Sequence, residues 1–201
     1  MAKADIGKTL KAPFELLVHY PIIGIPPLIA SFVSLLMILA VSSGGIAMFG
    51  FRMFILSVVE WGVVLAMQGW LVAMLDEILV NEKVDLKNSW FKVMEVFGSL
   101  LITGLIVSIL TSVGMTFFII PGILIMVSLS VAIPAIVKKK LGVTDSLRES
   151  INFIYSQGNF WIILLIIVIG VLLSFIPFIG AVLGSFLTSL WIPYAYLKYS
   201  E

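Results

Sequence analysis

One acidic residue, Glu60, interrupts an apolar run that is otherwise long enough to cross a membrane, within the segment Ser57–Gly62. A charged side chain near the centre of a span costs about 2.5–3.5 kcal/mol on insertion scales, so it should face protein or water, or be protonated. Glu60 is therefore either a proton or cation site or a neutral, hydrogen-bonded residue inside a helix bundle. The second interpretation is the simpler one.

Gln68 and Arg52 are the other polar residues of this run. They lie eight positions after and before Glu60, and positions eight apart on a helix are rotated by about 80° at 3.6 residues per turn. The three side chains therefore spiral around the helix, whereas a transport path would favour a single polar stripe. We expect a structural role for Gln68, and we expect Arg52 to reach the outer headgroups from the end of the span.

Few other residues could support a reaction. The chain has no cysteine and one histidine, His19, so the sequence predicts neither a thiolate nucleophile nor a histidine-rich metal site. No Ser/His/Asp set, phosphate-binding loop or pair of intramembrane carboxylates is recognisable. We predict a non-enzymatic protein without a cofactor or a resident metal.

The composition determines which elements must carry these residues. Of 201 residues, 61% are hydrophobic and 11% are charged, with a mean hydropathy of +1.21, whereas soluble domains are roughly 45–50% apolar and about 25% charged. A soluble fold of this size could not bury so much apolar surface. The sequence therefore predicts an all-α, polytopic membrane protein. The net charge of +1 gives no reason to expect a nucleic-acid partner.

Six apolar segments approach the length of about 20 residues that a spanning helix needs. They are residues 22–41, 53–75, 98–117, 120–137, 160–176 and 178–197. Turn-forming residues separate the members of each pair: Ser42–Gly45, then Pro121-Gly122, then Pro177 and Gly180. Because the links within each pair are short, the segments are predicted to form three antiparallel transmembrane hairpins.

Charged, amphipathic stretches alternate with these hairpins at residues 3–20, 81–97 and 138–159. With the N-terminus inside, eleven of the twelve Lys and Arg residues fall on the inner side and only Arg52 falls outside. This bias predicts a multi-pass protein of the plasma membrane with both termini in the cytoplasm.

The periodicity of each charged stretch favours a helix on the inner membrane surface over a connecting loop. We therefore interpret the chain as a single transmembrane domain over 1–201. It divides into three repeat units, each a surface helix followed by a hairpin, over 3–80, 81–140 and 141–201.

A sequence pattern in the second half resembles a known family. It consists of Ile133–Lys138, Gly142–Ser150 and Gly158–Trp161. It resembles uncharacterised prokaryotic membrane proteins related to the membrane-anchor domain of glycerophosphodiester phosphodiesterases. The resemblance covers about residues 119–175, and Lys138 stands where the family usually has an acidic residue. It implies a multi-helix membrane domain with no assigned activity and no catalytic residues, since in that family the chemistry resides in a separate soluble domain.

Small residues recur every four positions in two of the predicted spans. They are Gly104, Ser108 and Ser112 in the third, and Gly180, Gly184 and Thr188 in the sixth. Ridges of this kind allow close approach of helix backbones. We expect their partners to lie within the chain, with another subunit as the alternative.

Three consecutive lysines, Lys138, Lys139 and Lys140, follow the fourth predicted span. Each could attract anionic lipid headgroups by about 1 kcal/mol, although specific lipid recognition usually takes four to eight basic residues. The alternative is that they only set the topology. Asp76 and Glu77, at the inner end of the second span, are expected to be solvated.

These patterns favour a non-enzymatic membrane protein that interacts with lipid or binds a partner. The expected partners are membrane lipid and, as alternatives, another membrane protein or a second copy of this chain. The competing hypothesis is a small transporter, or an ion or proton channel, that uses Glu60.

Overall fold

The computed structural model describes residues 5–43, 51–176 and 180–200, and within these ranges the chain is helical with no strand. The helices are α1 (Ile6–His19), α2 (Ile25–Ser43), α3 (Phe51–Asn81), α4 (Leu86–Phe117), α5 (Ile119–Leu129), α6 (Ala132–Lys139), α7 (Val143–Ile151), α8 (Phe160–Ser174) and α9 (Gly180–Tyr199). A 3₁₀ turn, Pro21–Gly24, precedes α2, and a π turn, Asn152–Ser156, follows α7. The predicted all-α class is confirmed.

Several of these helices are long and apolar enough to cross a membrane. In the described ranges, three single stretches qualify: Ile55–Asn81, Leu86–Phe117 and Ile119–Lys139. Two more qualify only as bent pairs, namely α1 with Pro21–Met37 at 111° and Val143–Ser156 with α8 at 103°. The fold therefore supplies three to five spanning candidates. The 15 residues of α8 extend only about 22 Å at 1.5 Å per residue, short of the roughly 30 Å hydrocarbon core.

Four pairs of helices that are consecutive in sequence pack closely, and α3 lies at the centre of the bundle. The closest associations are α2 with α3, α3 with α4, α4 with α5, and α8 with α9, while α3 also contacts α6 and α9. Residues Leu71–Leu75 of α3 are at most 1% exposed. They belong to a cluster of buried apolar side chains that reaches from Ile23 to Leu197.

Two of the three charged stretches form separate helices, and the second does not. Helix α4 runs without a break from Leu86, at the charged end, to Phe117, so the expected separate surface helix over 81–97 is wrong. The side chain of Asp85 begins α4 by accepting hydrogen bonds from the amides of Lys87 and Asn88, and no proline follows to end the helix before Phe117.

Glycine and proline produce the sharp bends at the other two charged stretches. Pro21 follows Tyr20 at the end of α1, and a residue before proline is pushed out of the helical conformation. Gly158 between α7 and α8 has φ of +72°, a left-handed conformation that costs glycine little. The chain therefore bends sharply at Pro21 and at Gly158, so that α1 and α7 lie at steep angles to the helices that follow them.

The predicted fourth span is divided into α5 and α6 at Ser130 and Val131. Pro134 explains the break, because it has no amide hydrogen with which to bond the carbonyl of Ser130. The expected turn at Pro121-Gly122 is also wrong: the chain turns at Phe118, and both residues lie in the first turn of α5. Proline is tolerated there because the first amides of a helix need no partner within it.

Within the expected turn at Ser42–Gly45, Ser42 and Ser43 are the last two residues of α2, whereas Gly44 and Gly45, like Pro177, lie outside the described residues. Gly180, expected to belong to the turn with Pro177, is the first residue of α9.

Candidate functional site

A cavity of about 580 Å³ lies between α3, α4, α5, α6, α8 and α9. We call it the central cavity. Its lining includes Trp61, Val64, Leu65, Gln68, Val72, Gly104, Val107, Ser108, Met126, Leu129, Ser130, Ile133, Pro134, Ile167, Gly170, Val171, Ser174, Gly184, Ser185, Thr188, Ser189, Ile192 and Pro193. Three glycines and two prolines are among these residues.

A smaller cavity of about 280 Å³ lies on the other side of the contact between α3 and α9, against α2. The two cavities share Val64, Gln68, Ser185 and Ser189. One apolar side chain, Val64, and three polar side chains of α3 and α9 therefore line both cavities.

Most residues around the central cavity are apolar, and none of the described residues that line either cavity is charged. The polar groups are the amide of Gln68 and the hydroxyls of serine and threonine. Small-molecule sites commonly enclose about 300–1,000 Å³, with mainly apolar walls and a few polar groups. The central cavity has the size and the chemistry of such a site.

Five hydroxyls around the central cavity donate their hydrogen to a carbonyl of their own helix. The bonds run from Ser130 to Val127 (2.8 Å), Ser174 to Gly170 (2.9 Å), Ser185 to Val182 (3.1 Å), Thr188 to Gly184 (2.8 Å) and Ser189 to Phe186 (2.7 Å). A hydroxyl has one hydrogen and two lone pairs. These oxygens therefore keep the capacity to accept hydrogen bonds but have already used their capacity to donate.

Gln68 differs from these five hydroxyls because, like Ser108, it makes no hydrogen bond with a described residue. It is exposed, although its neighbours Met67 and Gly69 are buried, because the adjoining cavities leave space around it. Its side chain makes no hydrogen bond within the described part of the chain. The amide can still donate two hydrogen bonds and accept at its oxygen.

The structure does not bring Glu60 to this site. Glu60 is partly exposed, lies about 12 Å along α3 from Gln68 at 1.5 Å per residue, and is absent from the lining of both cavities. It has no ion pair or hydrogen bond with any described residue. Arg52 is in the first turn of α3, and its side chain lies outside the described residues.

The three consecutive lysines all have partners within the chain. Lys138 donates to the carbonyl of Leu197 and to the hydroxyl of Ser200 at 3.0 and 3.1 Å, which fastens α6 to the end of α9. Lys139 pairs with Glu149 of α7 at 2.5 Å, and Lys140 pairs with Glu95 of α4, also at 2.5 Å. Their role toward lipid headgroups stays a prediction.

The ridge of small residues on α9 faces α8. A Cβ added at Gly180 would lie 2.1 Å from the carbonyl oxygen of Leu173, and one added at Gly184 would lie 2.4 Å from that of Gly170. Thr188 occupies the space beside Gly170, where an added Cβ would meet its methyl group at 2.3 Å. Both glycines therefore permit a close crossing of α8 and α9.

The three small residues predicted on α4 have three different surroundings. Gly104 is buried against Leu65 and Trp61 of α3, where an added Cβ would meet Leu65 at 2.7 Å. Ser108 lines the central cavity. Ser112 is exposed and lines neither cavity.

Sequence reasoning missed the polar cluster around Glu77. Glu77 is 3% exposed and not solvated as expected. Its carboxylate accepts from the amide of Asn88 at 2.7 Å, from the ammonium of Lys92 at 2.9 Å and from the backbone amide of Asp85 at 3.1 Å. The sequence signal that could have predicted this cluster was the short link between α3 and α4. Such a link brings Glu77 at the end of α3 close to Lys92 near the start of α4.

Comparisons with protein-family models, with curated proteins and with solved structures find no match to this chain. The resemblance to the membrane-anchor family therefore stays a prediction from the sequence pattern.

Proposed function

We propose that this chain is a non-enzymatic integral membrane protein that holds membrane lipid inside its helix bundle. The observation that carries the proposal is the central cavity of about 580 Å³, with its mainly apolar wall. An apolar space within a bundle surrounded by lipid favours occupation by an apolar molecule, since leaving it empty forfeits the contacts of its lining atoms.

The proposed arrangement has six spans in three hairpins, α2–α3, α4 with α5–α6, and α8–α9, with both termini in the cytoplasm of the cell. Two observations support it. Each proposed hairpin consists of helices that pack on each other. In addition, hydrogen bonds join the charged ends of distant elements: Tyr20 donates to the carbonyl of Glu82, and Lys140 pairs with Glu95.

In this arrangement α1 and α7 lie along the cytoplasmic surface of the membrane. Helix α1 exposes the apolar side chains of Ile6, Phe14 and Val18, the last at 78%, as expected for a helix resting at the headgroup boundary. It is attached to the bundle by a hydrogen bond of 3.1 Å from the indole of Trp191 to the carbonyl of Leu10.

Lipid retention tests the proposal. The protein is purified in a mild detergent, and tightly bound lipid is counted by native mass spectrometry. Ser108→Phe places a ring in the central cavity, whereas Ser112→Phe places the same ring one turn away on α4, outside both cavities. We expect the first variant to lose most of the retained lipid and the second to keep it. Equal retention by the two variants, or a wild-type protein without lipid, would contradict the proposal.

A further inference from the structure

The geometry points to a ligand class for the central cavity: an uncharged lipid whose polar end is a free hydroxyl group, such as a diacylglycerol or a long-chain isoprenoid alcohol. This inference rests on the lipid-binding function proposed above and specifies which lipid the site selects.

The absence of charge from the described lining excludes phospholipid headgroups from the cavity. A phosphate moved there from the membrane surface would lose its hydration and find no Lys or Arg to replace it, which is the most unfavourable way to bury a charge. A phospholipid could insert only a chain, whereas a neutral lipid can enter with its polar end.

Five of the six hydroxyls that line the central cavity favour a ligand that donates a hydrogen bond, and the sixth, Ser108, makes no hydrogen bond with a described residue. Ser185, Thr188 and Ser189 of α9 donate to carbonyls of their own helix, and Ser130 and Ser174 do the same on the facing helices. Their oxygens can only accept from a ligand. An alcohol supplies the hydrogen that they lack, while an ester or ether of the same lipid does not.

Gln68 marks the place of the polar end. It is shared by both cavities together with Ser185 and Ser189, and its side chain has no partner in the described ranges. Its carbonyl can accept from the ligand hydroxyl, and its NH₂ can donate to the hydroxyl oxygen or to a neighbouring ester carbonyl. One bound alcohol would therefore satisfy Gln68 and a serine of α9 together.

The remaining wall suits a hydrocarbon chain. Its lining includes the apolar side chains of Met126 and Leu129 on α5, Ile133 on α6, and Ile167 and Val171 on α8. On α9 the cavity extends from Gly184 to Pro193, about 14 Å at 1.5 Å per residue. This is close to half of the roughly 30 Å hydrocarbon core, so the cavity accommodates part of one chain.

Competition for a photoreactive diacylglycerol tests the inference. The wild-type protein in phosphatidylcholine nanodiscs is cross-linked to a diacylglycerol with a diazirine in one acyl chain, and the modified peptides are identified by mass spectrometry. The competitors are dioleoylglycerol, its 3-acetyl ester and dioleoylphosphatidate. Geranylgeraniol and its acetate form a second pair. We expect cross-links on α8 and α9, and we expect an alcohol to compete at a concentration at least tenfold lower than its acetate and than phosphatidate.

Two variants on α3 show whether Gln68 provides the selectivity. Gln68→Leu should reduce the preference for the alcohol over its acetate without abolishing it, because one acceptor is lost while the hydroxyls of α9 remain; chain binding should persist. Glu60→Gln, on the same helix outside the cavities, should keep the tenfold preference.

If acetate or phosphatidate competes as well as the alcohol in the wild type, the inference about ligand class is overturned while lipid binding stands. If cross-links avoid the cavity and Ser108→Phe retains lipid, the proposed function itself fails.

Discussion

Glu77 shows how single polar residues stabilise the charged end of this bundle. Removal of one partner of a buried ion pair commonly costs about 3–5 kcal/mol, but Lys92 is 34% exposed, so solvent reduces the expected cost. We predict that Glu77→Gln lowers the free energy of unfolding by about 1–3 kcal/mol, measured by thermal unfolding in detergent.

Glu95→Gln is the matched control, because Glu95 and Lys140 are 58% and 61% exposed. Exposed pairs contribute about 0–1 kcal/mol, so this variant should unfold close to the wild-type temperature. Equal losses in the two variants would show that burial of Glu77 adds nothing to the pair.

For Glu60, in contrast to Glu77, we predict almost no contribution to the free energy of unfolding. Since it has no hydrogen bond or ion pair with a described residue and lies outside both cavities, Glu60→Gln should change the free energy of unfolding by no more than about 0.5 kcal/mol. Liposomes that contain the wild-type protein should show no proton flux above that of empty liposomes. A flux that disappears in Glu60→Gln would instead support the transporter hypothesis.

At the residue scale, the sequence identified the polar exceptions but not their surroundings. Gln68 was recognisable as the amide in an apolar run, yet a structural role was expected for it because nothing in the sequence showed the space around it. Ser185 and Ser189 gave no signal, because serine in an apolar helix is as common in packing as in binding. A cavity results from helices that are distant in sequence, and one-dimensional periodicity does not report it.

At the element scale, boundaries were predictable where chain chemistry alone decides them. The ends of α2 at Ser43 and of α4 at Phe117 fall within two residues of the expected limits. The continuity of α4 was not predictable from the change in charge at residue 97, because a helix can pass from the membrane surface into hydrocarbon when no residue breaks it. The turn at Phe118 was also missed. Pro121 was expected to end a helix, but it lies in the first turn of α5.

The crossing of α8 and α9 supports a prediction about glycine. Gly184→Ala adds one methyl group 2.4 Å from the carbonyl oxygen of Gly170 and 2.8 Å from the hydroxyl of Ser174. Overpacking of this kind typically costs about 1–3 kcal/mol, and here the contact is with backbone, which cannot rotate away. We expect a lower unfolding temperature and weaker lipid retention, because the crossing forms one wall of the central cavity.

Gly98→Ala on α4 separates steric overlap from the intrinsic effect of the substitution. A Cβ placed at Gly98 would lie within 4 Å of no atom outside its chain neighbours and the adjoining backbone of its own helix, and alanine is favoured over glycine in a helix by up to about 1 kcal/mol. This variant should therefore be as stable as the wild type or more stable. A loss at Gly98 equal to that at Gly184 would contradict the close crossing.

At the scale of the whole molecule, the two ends of the bundle differ in chemistry. One end brings together the charged residues of α1, α4, α6 and α7, tied by contacts such as Lys139 with Glu149. The other end presents apolar residues at the tips of the helices: Phe117, Phe118 and Phe175 are 70–78% exposed. The membrane class followed from composition, but the central position of α3 did not, because contacts between distant helices leave no periodic signal.

This asymmetry makes the orientation testable with single thiols, since the chain has no cysteine of its own. Lys83, between α3 and α4, and Phe118, between α4 and α5, are both exposed and lie at opposite ends of one helix. Positive residues are retained on the cytoplasmic side during insertion. A membrane-impermeant maleimide should therefore label Phe118→Cys in intact cells, and Lys83→Cys only after the membrane is opened. The reverse pattern would invert the proposed orientation. Labelling of both from outside would mean that α4 does not cross the bilayer, and the three-hairpin arrangement would fall with it.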